Sequence, residues 1–381
     1  MKISDQPAAT SHTRRPPQLP QLQSLRFLAA FLVLFGHVLM EARQHGTFIP
    51  AALYDLPWGI GVDIFFVISG FIIAYIGRNI PSGVAAAGDF LMRRIIRIAP
   101  LYWLFTLLMV ATILVVPSRL QHADLSIADL LRSLLFIPYS APGETGFRPV
   151  LEQGWTLNFE MFFYLLFSLV IVFTRRRILV SSAFLLALVL GSAALPIDGA
   201  LAYLFGPLLI LFCAGLTMAH LHNRLPGHGG RTAFLITAAA ITWFALVPAP
   251  ADEQDLWLRL LHRGIPAIAL VHAAVMWRKP AGWTSRGPIP FLGDASYSLY
   301  LSHPFAVNAT LIAFQLAGLS AGAWFIFAAT VLAVLASAVV HLMVEKPMLK
   351  ACTSIYRRRA ASERNAISPV PATATVRPES W

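Results

Sequence analysis

Charge is scarce in this sequence: 12% of its 381 residues are Asp, Glu, Lys or Arg, while 57% are hydrophobic. A mean hydropathy of +0.68 excludes a soluble globular chain of this length. Cysteine is nearly missing. Cys213 and Cys352 stand far apart, which argues against a disulfide framework, and no Cys or His spacing suggests zinc or another metal. The first twenty residues are too polar for a cleaved signal peptide, so the first apolar segment is expected to stay attached as an anchor. No internal repeat is visible, which weighs against an inverted-repeat transporter.

What is present is a succession of long apolar runs, at 25–41, 58–76, 99–117, 155–173, 178–195, 200–221, 232–248, 256–277, 291–317 and 323–344. Each is long enough to cross a bilayer, and a spanning segment must satisfy its own backbone hydrogen bonds. The expected fold is therefore all-α, a polytopic membrane bundle of about ten transmembrane helices. Most of the 29 Lys and Arg, including Arg93-Arg94, Arg175-Arg176-Arg177 and Arg357-Arg358-Arg359, fall on one side of that scheme; the opposite side carries Asp252, Glu253 and Asp255. The basic side is read as cytoplasmic, with both termini there. The net charge of +11 thus reports topology. Nucleic acid is excluded as a partner, since no aromatic-studded soluble domain accompanies the basic residues. Residues 1–20 and 348–381 read as disordered cytoplasmic ends, the latter basic, around one membrane domain at 21–347. The stretch "SIADLLRSLLFIP", within the longest outer loop at 118–154, is expected on the outer surface or folded over the bundle.

Ionisable side chains inside apolar helices are costly and mark function by default. In "SLRFLAAFLVLFGHVLM", His37 follows Arg26 by eleven positions, which puts both on one helix face about 16 Å apart. "WGIGVDIFFVISGFI" places Asp63 near a positive helix N-terminus, followed by Ser69 and Gly70, small enough for close packing or a thin ligand. "RRIIRIAPLYW" sets Arg94 and Arg97 three apart, a fork suited to phosphate, although such residues also serve as anchors. "WTLNFEMFFY" carries Trp155 and, one turn deeper, Glu160; "YSLYLSHPF" carries His303 before Pro304. A histidine satisfied by its neighbours is as good a reading of His303 as a functional one. "EKP" at Glu345 reads as a helix end with Pro347 as its stop.

Taken in this order, Arg26 and His37 with ten residues between, "GVDIFFVISGF", "RRIIRIAPLYW", "WTLNFEMFFY" and "SYSLYLSHP" resemble the acyltransferase-3 family of integral membrane acyltransferases, over most of residues 21–347. The branch most similar is the bacterial O-acetyltransferases of exopolysaccharides and O-antigens. The resemblance implies transfer of an acyl group, commonly acetyl, from cytoplasmic acyl-CoA to a carbohydrate hydroxyl, in a multi-pass protein of the bacterial inner membrane. No permanently bound cofactor is implied. Membrane lipids and polysaccharide-synthesis machinery are the implied surroundings.

A sugar hydroxyl needs a base as it attacks a thioester, and histidine titrates in the useful range. His37 is the candidate, as general base or as an acyl carrier, with Asp63 or Glu160 fixing its imidazole. The donor's phosphates are expected near Arg94 and Arg97, its pantetheine arm beside Arg26 and Ser69, and the acceptor near His303 and Trp155. Two other readings stand beside this one. One is a transporter or flippase for a lipid-linked or anionic substrate. The other is an acyltransferase acting on a non-carbohydrate acceptor. Glycerolipid acyltransferases commonly pair His and Asp four residues apart, a pairing not found here.

Overall fold

The computed structural model describes residues 19–115, 126–140, 146–222, 224–247, 249–250, 255–278 and 287–367. Among these residues sixteen α-helices follow one another: α1 (Pro20–Gln44), α2 (Ala51–Tyr54), α3 (Ile60–Gly77), α4 (Val84–Val115), α5 (Ile127–Leu134), α6 (Trp155–Phe173), α7 (Arg177–Ala194), α8 (Gly199–Leu204), α9 (Leu209–His222), α10 (Gly230–Leu246), α11 (Leu256–Arg259), α12 (Ile265–Met276), α13 (Pro288–Asp294), α14 (Ser296–Leu316), α15 (Ala323–Val340) and α16 (Lys346–Ile367). Among the described residues the only β-pairing is an isolated bridge between His228 and Trp277. The chain is an all-α polytopic bundle, as a membrane demands of a backbone that finds no water there.

Among the described residues, eight helical stretches are long and apolar enough to cross a bilayer. The expected segments at 232–248 and 291–317 are the two that fall short. They correspond to α10, with 17 residues, and to α14, whose 21 residues include two tyrosines, a histidine, an asparagine and a glutamine.

Two apolar clusters organise the bundle. The larger joins α3, α4, α6, α9 and α12 around Phe71, Phe163, Phe167 and Phe212. The smaller joins α1, α14 and α15 around Leu34, Leu39 and Phe325. Glycine sets the closeness of α3 to α9. A Cβ added at Gly70 would meet the backbone of Phe212, and one at Gly215 would lie 2.6 Å from the amide nitrogen of Phe71. Two helices that touch backbone to backbone gain dispersion contacts that lipid cannot supply.

Two features depart from the sequence reading. The "RRIIRIAP" segment lies in the middle of the 32-residue α4, which continues through Pro100. The chain does not stop at Glu345: His341–Glu345 forms one π-helical turn, and α16 follows, so residues 346–367 are helical where disorder was expected from 348. The wide turn explains it, because Pro347 falls in the first turn of the next helix, where a missing N–H costs nothing. The segment after Ser126 folds against the bundle, one of the two placements expected for it. Ser126 caps α5, Trp103 on α4 donates to the carbonyl of Leu134 at 2.8 Å, and Ser133 accepts from the amide of Val150 at 3.0 Å. The expected disordered residues 1–18 and 368–381, and the parts of the outer loop at 116–125 and 141–145, lie outside the described residues.

Candidate active site

Five helices, α1, α3, α4, α6 and α14, enclose a cavity of about 190 Å³. Along α3 it extends from Val62 to Ile73, about 16 Å of helix rise. Val, Ile and Phe side chains of α3 and α4 form one part of its wall, and Arg26, Arg94, Arg97 and Glu160 line it too, with Ser69, Tyr164, Tyr297 and Tyr300. The sequence proximity of Arg94 and Arg97 on one helix, and the placement of Arg26 on another, thus produce three guanidinium groups around one chamber. One lining carboxylate opposes them.

That carboxylate is occupied. Glu160 Oε1 accepts from Ser69 Oγ at 2.9 Å and from the Tyr164 hydroxyl. Arg26 donates to the side chain of Gln23 at 3.3 Å. Arg94 Nε is buried and has no hydrogen-bond partner among the described residues. A cationic group left this way in a cavity is suited to an anion that brings its own acceptor oxygens.

His37 stands apart from the cavity lining. Its Nδ1 lies 2.8 Å from the carbonyl of Val33 one turn back. A carbonyl can only accept, so Nδ1 carries the hydrogen and Nε2 keeps the lone pair in the neutral ring. His303 on α14 repeats the arrangement, with Nδ1 3.1 Å from the Leu299 carbonyl. Its Nε2 is buried without a hydrogen-bond partner among the described residues. The two imidazole rings are neighbours, with centroids 5.0 Å apart and planes tilted by 53°. Tyr300 joins the pair to the cavity: it lines the chamber, and its ring is 6.2 Å from that of His303. Its hydroxyl is fixed by the Gln153 carbonyl at 3.1 Å and by Thr156 at 3.0 Å.

The residues proposed from sequence therefore fall in three places. Arg26, Ser69, Arg94, Arg97 and Glu160 share the cavity. His37 and His303 form the imidazole pair. Asp63 and Trp155 belong elsewhere. Asp63 is fully buried and accepts from Arg259 twice, Nε to Oδ1 at 3.3 Å and Nη2 to Oδ2 at 3.2 Å. The guanidinium carbon of Arg259 in turn sits 5.1 Å from the ring centre of Trp155. The expectation that Asp63 or Glu160 fixes the His37 tautomer is corrected: a backbone carbonyl does so, because each carboxylate already has stronger donors.

Sequence reasoning missed Arg259 and Glu345. Arg259 lies in the first turn of an apolar span, so the rule that intramembrane charge signals function would have found it. Glu345 accepts from Arg97 at 2.6 Å, from Ser298 at 2.6 Å and from His341 at 2.7 Å. The proline two residues later concealed it as a helix end.

The family profile described as an acyltransferase domain matches residues 19–342. "Exopolysaccharide production protein ExoZ" of Rhizobium meliloti is 35% identical over 297 residues, covering 76% of this chain and 89% of that protein. "Nodulation protein 10" of Rhizobium leguminosarum bv. viciae is 25% identical over 364 residues, 88% of this chain and 94% of the other. "Acyltransferase MdmB" of Streptomyces mycarofaciens is 32% identical over 161 residues, 41% of this chain and 40% of that one. No solved structure matches.

Proposed function

The chain belongs to the acyltransferase-3 family of multi-pass membrane proteins, and from that premise we propose that it is an O-acetyltransferase: it moves an acetyl group from cytoplasmic acetyl-CoA to a hydroxyl of an exopolysaccharide or its lipid-linked precursor, in the bacterial inner membrane. The observation that carries this reading is the narrow chamber lined by three arginines and continued by Tyr300 towards two imidazoles. Such a chamber suits a slender donor with several phosphates at one end and a thioester at the other.

The phosphates of the donor bind Arg26, Arg94 and Arg97, whose N–H groups supply charge-assisted hydrogen bonds in an apolar surround. The pantetheine arm follows α1, where Arg26 and His37 are eleven residues apart, about 16 Å of rise. At the far end the lone pair of His37 Nε2 takes the proton of the acceptor hydroxyl as its oxygen attacks the thioester carbon. The tetrahedral intermediate then expels the CoA thiolate, and His37 returns the proton to that sulfur. Donor and acceptor exchange one acetyl group for one hydrogen, and the imidazole ends as it began. The carbonyl of Val33 keeps Nε2 as the basic nitrogen throughout. Polysaccharide as acceptor is taken from the exopolysaccharide role printed for one relative.

The deciding experiment uses purified protein in nanodiscs with radiolabelled acetyl-CoA, and mass analysis of surface polysaccharide from cells with and without the gene. Label is expected in carbohydrate, and acetyl increments are expected to disappear from the knockout. His37→Ala, inserted at normal levels, is expected to lose transfer by at least about 100-fold, the contribution of a general base. Retained activity in that variant overturns the role of His37, and absence of any acetyl-CoA turnover by the wild type overturns the donor.

A further inference from the structure

Among the polar groups that the proposed acyl transfer does not use, Glu345 is a buried carboxylate that accepts three side-chain hydrogen bonds. Its side chain is 1% exposed. Three donors from separate elements converge on it: Arg97 Nη1 of α4 on Oε1, and on Oε2 both Ser298 Oγ of α14 and His341 Nδ1 of the π turn. Both carboxylate oxygens are engaged, so the group cannot turn without breaking a bond, and it has little capacity left for a ligand. Burying a carboxylate is costly, and a chain that only needed to end a helix had cheaper residues for it.

Arg97 is in the opposite condition. It gives one N–H edge to Glu345, while its remaining N–H groups make no hydrogen bond among the described residues, and the side chain lines the cavity. The π turn is what allows this: over His341–Glu345 it sets the histidine and the carboxylate in contact on the side that faces α4, and widened turns of this kind recur at functional sites. A guanidinium clamped on one edge presents the other in a fixed direction. Freed from the clamp, Arg97 would be repelled by Arg26 and Arg94, which line the same chamber.

We propose that Glu345 is a positioning residue for the donor: by holding one edge of Arg97 it aims the other at a phosphate of acyl-CoA, and so sets donor affinity without touching the reacting atoms. This rests on the donor reading given above. It predicts a loss that depends on the donor's phosphates and not on its acetyl group.

The test compares acetyl-CoA with acetyl-pantetheine, which carries the same thioester and no phosphate, in nanodisc-embedded wild type, Glu345→Gln and Ser298→Ala. For Glu345→Gln the KM for acetyl-CoA is expected to rise about tenfold, the worth of one charge-assisted hydrogen bond. Its kcat and its KM for acetyl-pantetheine are expected to stay at wild-type values. Ser298→Ala removes one of the two donors to Oε2 and is expected to shift acetyl-CoA in the same direction, by less. An unchanged acetyl-CoA KM in Glu345→Gln overturns the inference, and so does an equal loss with both donors, which marks a structural role. If Glu345→Gln fails to accumulate, the same ratio in Ser298→Ala decides. A wild type that does not distinguish the two donors, or uses neither, instead brings down the donor reading itself, a result separable from a failure of Glu345.

Discussion

Asp63 shows how a buried charge selects its partner. An aspartate in the first turn of α3 already enjoys the positive end of the helix, but at complete burial it needs a full counter-charge. The imidazole of His37 cannot supply one while it remains a neutral base; the fork of Arg259 can, through two nitrogens at 3.2–3.3 Å. Asp63→Ala is therefore expected to destabilise the protein by about 3–5 kcal/mol, because it strands Arg259 inside the bundle. The double variant Asp63→Leu with Arg259→Met is expected to recover most of that loss. Thermal unfolding in detergent checks both. A single variant with wild-type stability but no turnover would instead place Asp63 in the chemistry.

At the scale of elements, the fit between α3 and α9 depends on Gly70 and Gly215. Gly70→Ala puts a methyl group against the Phe212 backbone, and backbone moves less readily than a side chain. A loss of about 1–3 kcal/mol is expected from this overpacking, seen as a lower unfolding temperature. A variant as stable as wild type would mean that the helices can separate without cost. The packing role of Gly70 was legible in "FFVISGF", since small residues in an apolar run mark helix contacts. The clamp at Glu345 was not. Proline after a glutamate normally ends a helix, and only the π turn of His341–Glu345 lets the chain continue and turns an apparent terminus into a buried network. Local rules describe regular turns, so an irregular one defeats them. The same holds for Asp63, whose partner is 196 residues distant and comes from pairing between helices that no local pattern encodes.

For the whole molecule, the apolar runs made eight of the ten expected spans and their order legible, and the arginine fork and Glu160 were legible as a shared site because charge in lipid has few places to go. What the runs could not fix is whether the more polar α14 crosses at all, and the proposed chemistry depends on it. Tyr297, Tyr300 and His303 climb one flank of α14 at intervals of three, from the carbonyl of Ile98, which accepts from Tyr297 at 2.8 Å, to the ring of His37. If α14 spans the membrane outward, this row leads from the proposed cytoplasmic donor site towards the exterior, where the proposed polysaccharide acceptor is met. Alkaline phosphatase, active only outside the cytoplasm, tests this when fused after Gly318 in the turn between α14 and α15 and, separately, after Arg278 beyond α12. Activity is expected at Gly318 and none at Arg278, since one crossing separates them. Equal silence at both sites would put α14 on the cytoplasmic side and leave the imidazole pair without access to an external acceptor.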